Sequence, residues 1–183
     1  MKKNALKIVS LLLVVSCSSP KQNNLTNLED QLAETIEVFG HRNWIVVADA
    51  AYPEQSNPAI KTITVNASQL EAVEVINKLI KDAPHVDANV YIDKEMAFVS
   101  EENAKGIDVY RTDLHQILEG KNVNALLHQD IIRELDTSAE LFNVLIIKTD
   151  LTIPYTSVFF QLECGYWNAN AEAQLRNKMK NNE

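Results

Sequence analysis

The chain has 183 residues, of which 46% are hydrophobic and only 4 are glycine, and its 25 acidic and 17 basic residues give a formal net charge of −8. This length is enough for one domain with a substantial core. The acidic balance argues against nucleic-acid binding, because phosphates are bound through Lys and Arg, and the scarcity of glycine argues against a dinucleotide-binding loop.

The first sixteen residues have the features of a bacterial lipoprotein signal peptide. Three lysines near the start precede an apolar run over residues 8–15, which is too short to span a bilayer of about 30 Å. The run ends at Ser16-Cys17, which resembles a lipoprotein cleavage box and implies cleavage before Cys17 and lipidation of that cysteine. The alternative is a cytosolic protein with an apolar N-terminal helix.

Cleavage would leave an acidic domain held to a membrane by lipid. It would remove three lysines, so 14 basic and 25 acidic residues would give a net charge of −11. Such a domain is not attracted to anionic headgroups, so the lipid on Cys17 would be the anchor. We therefore expect a cell-envelope protein facing the periplasm or the exterior. Cys164 would be the remaining cysteine, which predicts no intrachain disulfide and favours a small core residue.

The chain after the signal peptide begins with a polar stretch and then a helix and a strand. Residues 17–27 predict a flexible tether, and residues 28–183 a single domain with a polar C-terminal tail. From Leu25 to Phe39 apolar residues recur at spacings of three and four, which indicates a helix ending at Gly40. The apolar run Ile45 to Ala48, bounded by turn formers, predicts a short buried strand.

Strands and helices then alternate along the chain. Strands are predicted at residues 61–65, 86–92, 144–148 and 158–162, and helices or helical turns at 67–81, 112–118 and 137–142. Asn66 with Gln69 resembles a capping box at the start of the first of these helices. Residues 123–134 are ambiguous between strand and helix. The alternation predicts an α/β protein with a layered sheet.

Two ionisable residues flank the first predicted strand. His41 precedes it and Asp49 follows it. A buried strand with an ionisable group at each end is a common way to build a site. Since the intervening extended residues would span about 20 Å, the chain must bend if both groups share one site. The alternative is an exposed histidine at a helix end and a turn aspartate before Tyr52-Pro53.

Two separated segments of the chain share the motifs of one family. The first is Gly40-His41 followed by residues 45–53, and the second comprises residues 147–149, residues 152–158 and Gly165. In this order and separation they resemble the D-ribose pyranase / L-fucose mutarotase family. The resemblance implies a three-layer α/β/α sandwich with a mixed central sheet. It also implies a homo-oligomeric ring, often stacked into a decamer, with sites completed across subunit contacts.

The resemblance also implies a chemistry: cofactor-free and metal-free interconversion of the ring or anomeric forms of a monosaccharide. Ring opening takes a proton from the anomeric hydroxyl and gives one to the ring oxygen, and histidine suits this exchange because its unperturbed pKa lies near neutrality. His41 matches the family histidine and would be the acid/base group. Asp49 matches the family aspartate, which would orient His41 or bind sugar hydroxyls. Tyr155 matches a tyrosine that donates to or accepts from a hydroxyl.

Four further residues are candidates for substrate binding. Counting back from Tyr155 without a gap, Arg133 falls where fucose mutarotases carry an arginine and ribose pyranases a histidine, and a guanidinium could hold vicinal hydroxyls. His128 is the nearby alternative, and both residues also fit a solvated surface position. Asn43 stands where the family has an aspartate and Ser157 where it has an asparagine, so both retain hydrogen-bonding capacity.

The patterns leave three functions open. The first is a lipid-anchored sugar mutarotase, the second a non-catalytic sugar-binding lipoprotein of the same fold, and the third a structural ring on the membrane. Uncatalysed mutarotation is already fast, which keeps the binding module in consideration. The predicted partners are a monosaccharide, a membrane reached through Cys17 and further copies of the chain, with no nucleic acid, metal or cofactor.

Overall fold

The computed structural model describes the backbone of residues 20–181 and the side chains of residues 28–181. The predicted signal peptide, residues 1–16, and the predicted lipidation site, Cys17, lie outside this part of the chain. Within it, no helix combines the length and the apolar character needed to cross a bilayer.

Strands and helices alternate along residues 20–181. The strands are β1 (Trp44–Ala48), β2 (Ile60–Thr64), β3 (Val86–Asp93), β4 (Val123–Leu126), β5 (Val144–Lys148) and β6 (Val158–Cys164). The α-helices are α1 (Pro20–Val38), α2 (Gln69–Asp82), α3 (Ile107–Ile117), α4 (His128–Ser138) and α5 (Ala169–Lys180). A short 3-10 helix at Lys94–Phe98 follows β3.

The six strands form one mixed sheet in the order β2-β5-β1-β6-β3-β4. β1 pairs parallel with β5 and antiparallel with β6, while β2 pairs parallel with β5, and β3 pairs antiparallel with β6 and parallel with β4. β6 therefore runs against the other five strands. The carboxyl ends of those five and the amino end of β6 meet at one edge, the carboxyl edge, and the opposite ends form the amino edge.

Helices cover both faces of the sheet. One apolar cluster joins the sheet to α1, α2 and α3, and a smaller cluster joins the other face to α4. All five residues of β1 are buried: Ile45 and Val47 belong to the first cluster, and Trp44, Val46 and Ala48 to the second. A strand buried on both faces is continuously apolar, which explains the run seen in the sequence. The predicted three-layer α/β/α sandwich is confirmed.

The start of α2 differs from the prediction. The N-cap is Ser68, whose hydroxyl accepts from the backbone of Glu71, while Glu71 Oε2 accepts from the Ser68 backbone at 2.9 Å. The predicted capping box of Asn66 with Gln69 is therefore wrong. Gln69 is instead only 2% exposed, and its amide is used inside the protein.

The structure also assigns secondary structure to three segments that the sequence left open or predicted as irregular. The ambiguous residues 123–134 divide into β4 and the first part of α4, with Leu127 as the N-cap between them. α1 begins at Pro20, so the backbone of residues 20–27, in the segment predicted as a tether, is helical. α5 lies in the predicted polar tail and has no buried residue. Cys164 is a free, partly buried cysteine at the end of β6.

Candidate functional site

One open pocket at the carboxyl edge gathers side chains from four strand ends. Asp49 follows β1, Asp93 ends β3, His128 begins α4 directly after β4, and Tyr155 precedes β6. These residues line a cavity of about 550 Å³, together with Tyr52, Pro53, Ile153 and Pro154 among others. We call it the carboxyl-edge pocket. Open α/β sheets commonly bind ligands outside the carboxyl ends of their strands.

His128 is held on several sides. Its Nδ1 lies 2.9 Å from Asp93 Oδ1, and its backbone N donates to Glu95 Oε2 at 3.0 Å. The imidazole meets the Tyr155 ring edge to face, with centroids 5.9 Å apart and planes at 79°. His128 is therefore a fixed member of the pocket, and its side chain is still 37% exposed.

Burial and hydrogen bonding change the acid strengths of these groups. The Asp93 side chain is wholly buried, and this burial raises the pKa of its carboxyl. The hydrogen bond that His128 donates to Asp93 raises the pKa of His128 against the opposing effect of partial burial. Because the pKa of Asp93 and that of His128 are both raised, the two side chains together keep a proton up to a higher pH. Burial also raises the pKa of Tyr52 and Tyr110, so both phenols stay protonated.

The segment that carries Tyr155 is anchored from below by buried polar groups. Tyr155 has φ 57°, a left-handed conformation that costs a non-glycine residue about 1 kcal/mol. Next to it, the carbonyl of Thr156 accepts from Tyr110 Oη at 2.7 Å and from Gln69 Nε2. Thr149 Oγ1 donates to Gln69 Oε1 at 3.1 Å. We call Gln69, Tyr110 and Thr149 the buried amide network, and it holds Tyr155 in this conformation.

Asp49 lines the pocket, and one of its carboxylate oxygens is bonded within the chain. Its Oδ1 accepts from the backbone N of Ala51 at 2.8 Å, in a turn that directs the chain away from β1. Oδ2 remains available to a hydroxyl group in the pocket. In the described part of the chain no group of three or more His, Cys, Asp or Glu side chains could hold a metal ion.

His41 and Asn43 lie at the amino edge, at the other end of β1. His41 Nε2 is 3.2 Å from Glu163 Oε2, and both side chains are substantially exposed. Asn43 Oδ1 accepts from the backbone N of Gly40 at 3.0 Å, and its Nδ2 donates to the carbonyl of Asn143 at 3.1 Å. The five residues of β1 span about 16 Å, so one copy of the chain does not bring His41 to the carboxyl-edge pocket.

Of the other residues predicted to bind substrate, only His128 lines the carboxyl-edge pocket. Arg133 is exposed on α4 and pairs with Asp130 on the same helix, whereas His128 lines the pocket. Ser157 is buried below the pocket and does not line it. Asp93 was missed by sequence reasoning, although it directly follows the predicted strand at residues 86–92. The shared edge of parallel strand ends was the signal that could have found it.

The structure is that of an α/β protein with a pocket at the carboxyl edge of a mixed sheet. The sequence model of the RbsD / FucU transport protein family matches residues 22–165. Because this match covers most of the chain, the protein belongs to that family. A search of curated proteins found no match.

Solved structures of the same fold come from several bacteria. RbsD of Bacillus subtilis, complexed with D-ribose, is 18% identical with a TM-score of 0.51, and the match covers 73% of this chain and 91% of that one. The fucose mutarotase of Streptococcus pneumoniae, in complex with L-fucose, is 22% identical with a TM-score of 0.51, over 75% and 94% of the two chains. FucU from Bifidobacterium longum is 16% identical with a TM-score of 0.50, over 73% and 94%. At these identities the likeness establishes the fold.

Proposed function

We propose that this protein binds a monosaccharide in the carboxyl-edge pocket and interconverts its ring or anomeric forms by cofactor-free acid/base chemistry. The observation that carries the proposal is the convergence of Asp49, His128 and Tyr155 in one pocket. Two proteins of the same fold have been solved with D-ribose and L-fucose, which supports a monosaccharide as the ligand. The cavity of about 550 Å³ lies within the range of small-molecule pockets.

The pocket residues suit the two proton transfers of ring opening. Asp49 Oδ2 can accept a hydrogen bond from a sugar hydroxyl, and the Tyr155 hydroxyl can donate or accept. An imidazole near neutrality can exchange the proton that the ring oxygen needs. The same residues, without turnover, would make a sugar-binding module, which is the second candidate. It is favoured by the position of His41 outside the pocket of its own chain.

A second copy of the chain would bring His41 to the pocket. We infer a head-to-tail ring in which the amino edge of one copy, with His41 and Glu163, contacts the carboxyl edge of the next. The exposure of the His41–Glu163 pair supports this contact, because it leaves both side chains accessible to a neighbour.

Mixing two inactive variants tests this assembly. If His41 completes the pocket of the next copy, His41→Ala and Tyr155→Phe subunits that have exchanged into one ring regain part of the wild-type activity. Each variant alone stays inactive, and a mixture kept from exchanging subunits is the control. Mixed rings without recovered activity would contradict the shared site.

Saturation-exchange NMR between anomers, over a panel that includes D-ribose and L-fucose, tests the activity itself. We expect acceleration by the wild type and its loss in Tyr155→Phe, with Tyr166→Phe as the matched control because Tyr166 is 77% exposed outside the pocket. No acceleration with any sugar would refute the enzyme. Sugar-dependent shifts or line broadening without exchange would then support the binding module.

The cellular location belongs to the same proposal. A lipid on Cys17 would place the acidic domain in the cell envelope without charge attraction to the membrane. Mass spectrometry of the mature N-terminus tests it. An unmodified peptide that contains Cys17, recovered from full-length protein, would contradict the anchor.

A further inference from the structure

We propose that Asp93 and His128 form the acid–base pair of the carboxyl-edge pocket, with Asp93 as a positioning residue and His128 Nε2 as the atom that exchanges a proton with the sugar ring oxygen. This inference rests on the proposed function and adds its proton donor. Both members of the pair lie on the chain that forms the pocket, whereas His41 would reach the sugar from the neighbouring copy and hold it there.

The sheet brings the two residues together. Asp93 is the last residue of β3, and His128 follows the end of β4, its parallel neighbour, with Asp93 opposite Leu126 in the register. The carboxylate and the imidazole therefore lie side by side at the carboxyl edge, with Oδ1 and Nδ1 2.9 Å apart. The Asp93 side chain has no solvent exposure, whereas that of His128 is 37% exposed and lines the pocket.

This arrangement gives the two ring nitrogens different tasks. A carboxylate that accepts from Nδ1–H fixes the imidazole tautomer and stabilises the imidazolium, as in the triads of hydrolases. Nε2 then remains for a ligand in the pocket. The Tyr155 ring packs against one side of the imidazole, and Glu95 holds the backbone N of the same residue. An imidazole held by Asp93 and Tyr155, on a backbone bonded to Glu95, is suited to a defined proton transfer.

The surrounding charges favour a protonated pair. The titratable groups that face it are Glu95 in the 3-10 helix, Asp49 after β1, Tyr52 in the loop that follows, Tyr110 in α3 and Tyr155 before β6. The hydrogen bond that His128 donates to Asp93, together with the negative charges of Asp93, Glu95 and Asp49, raises the pKa of His128, while partial burial lowers it. His128 thus carries its proton at a higher pH than a free imidazole.

The proton transfers balance over one turnover. As the bond between the anomeric carbon and the ring oxygen breaks, the anomeric hydroxyl gives its proton to Asp49 and a carbonyl forms. The ring oxygen takes the proton of His128 Nε2 and becomes a hydroxyl. Closure on either face of the carbonyl reverses both transfers, so Asp49 and His128 return to their starting states. No oxidant, reductant or other reactant is needed.

The test compares Asp93→Asn with the wild type by two readouts. Asn is nearly isosteric with Asp and its side-chain oxygen can still accept from Nδ1–H, so the change removes the charge and keeps the shape. The first readout is the NMR titration of the His128 ring without sugar, assigned by its loss in His128→Gln. The second is the pH profile of anomer exchange at sugar concentrations well below saturation, which reports the groups of the sugar-free protein. Asp136→Asn is the matched control, because Asp136 is exposed further along α4.

We expect Asp93→Asn to lower the titration midpoint of His128 and to move the alkaline limb of the pH profile down by the same interval. Sugar affinity should stay within about twofold, and His128→Gln should lose about 100-fold or more of the acceleration. Asp136→Asn should change neither readout. An unchanged midpoint and limb in an active Asp93→Asn protein would overturn the pair.

The two proposals can fail separately. If no sugar is accelerated, the proposed function and the proton transfer are both refuted. If the wild type accelerates a sugar but its neutral His128 carries the proton on Nε2, seen in its nitrogen chemical shifts, the pair alone is refuted. This second measurement uses only the wild type, so it decides the matter even where Asp93→Asn does not fold.

Discussion

Gln69→Leu removes the centre of the buried amide network and keeps the side chain nearly the same size. Gln69 Nε2 donates to Tyr110 Oη and to the carbonyl of Thr156, and its Oε1 accepts from Thr149 Oγ1. Leucine makes none of these hydrogen bonds. Because Gln69 is 2% exposed, water does not replace them without a rearrangement.

The size of the effect follows from what remains paired. The Thr156 carbonyl keeps its bond from Tyr110, and the single proton of the Thr149 hydroxyl, which Gln69 Oε1 shares with the carbonyl of Ala48, donates to Ala48 alone. No atom is left wholly unpaired, so the cost is that of the two hydrogen bonds from Gln69 Nε2 and the shared one from Thr149, at about 1 kcal/mol each, reduced by the added apolar burial. We expect the free energy of unfolding to fall by about 2 to 3 kcal/mol and the melting temperature by about 5 to 10 °C.

Urea unfolding followed by circular dichroism measures this change, with Gln174→Leu on the exposed face of α5 as the matched control. The sugar affinity of Gln69→Leu should fall as well, because the segment that carries Tyr155 loses its anchor. Gln69→Glu should cost more than Gln69→Leu at neutral pH and less in acid, since its buried carboxylate would face the Thr156 carbonyl. A Gln69→Leu protein within about 0.5 kcal/mol of the control would refute the anchoring role.

Three further predictions use other features of the structure. Tyr155→Gly should stay within about 1 kcal/mol of the wild type in unfolding free energy, because glycine relieves the positive φ while the variant loses the contacts of the tyrosine ring. Its dissociation constant for sugar, measured by calorimetry, should rise about tenfold, and an unchanged affinity would contradict this prediction. The folded pKa of His128 is raised, so the stability that it contributes is fully present below about pH 6.5 and is lost as pH rises through the folded pKa. Urea titrations should therefore find that the unfolding free energies of the wild type and His128→Gln converge above the folded pKa, and a difference that does not change with pH would count against the assignment. Gly165→Ala should destabilise by about 1 to 3 kcal/mol, because its Cβ would lie 2.8 Å from the carbonyl of Val86, whereas Gly40→Ala meets nothing within 4 Å and should be neutral in the same assay.

The sequence predicted the elements of this fold better than their arrangement. The unbroken apolar run of Ile45 to Ala48 indicated a short buried strand, and the structure confirms it and shows that β1 is buried on both faces. The direction of β6 is not encoded in such a run, because apolar patterning is the same in parallel and antiparallel strands. The family resemblance implied one site for Asp49 and Tyr155, and the sheet order shows why both line the same pocket.

The candidate site was predictable in part for the same reason. Asp49 and Tyr155 were found from motifs and His128 only as the alternative to Arg133, whereas Asp93 follows an alternating strand and has the sequence context of a loop residue. Its role depends on its neighbour in β4, which periodicity does not reveal. His41 and Asp49 are close in sequence, yet an extended strand separates them, and whether another copy reunites them depends on assembly.

The central place of β1 has a consequence for how the protein folds. β1 lies between β5 and β6, which come from the far end of the sequence, and the segment over residues 149–157 crosses the end of β1 to connect them. The pairings of β1 with β5 and with β6 join residues about one hundred positions apart in the chain, for example Trp44 with Val144. Such non-local contacts slow folding, and the β1–β6 pairing cannot form until β6 has been synthesised. A nascent chain can pair β3 with β4 and so bring Asp93 beside His128, whereas Tyr155 and the closing side of the carboxyl-edge pocket come last.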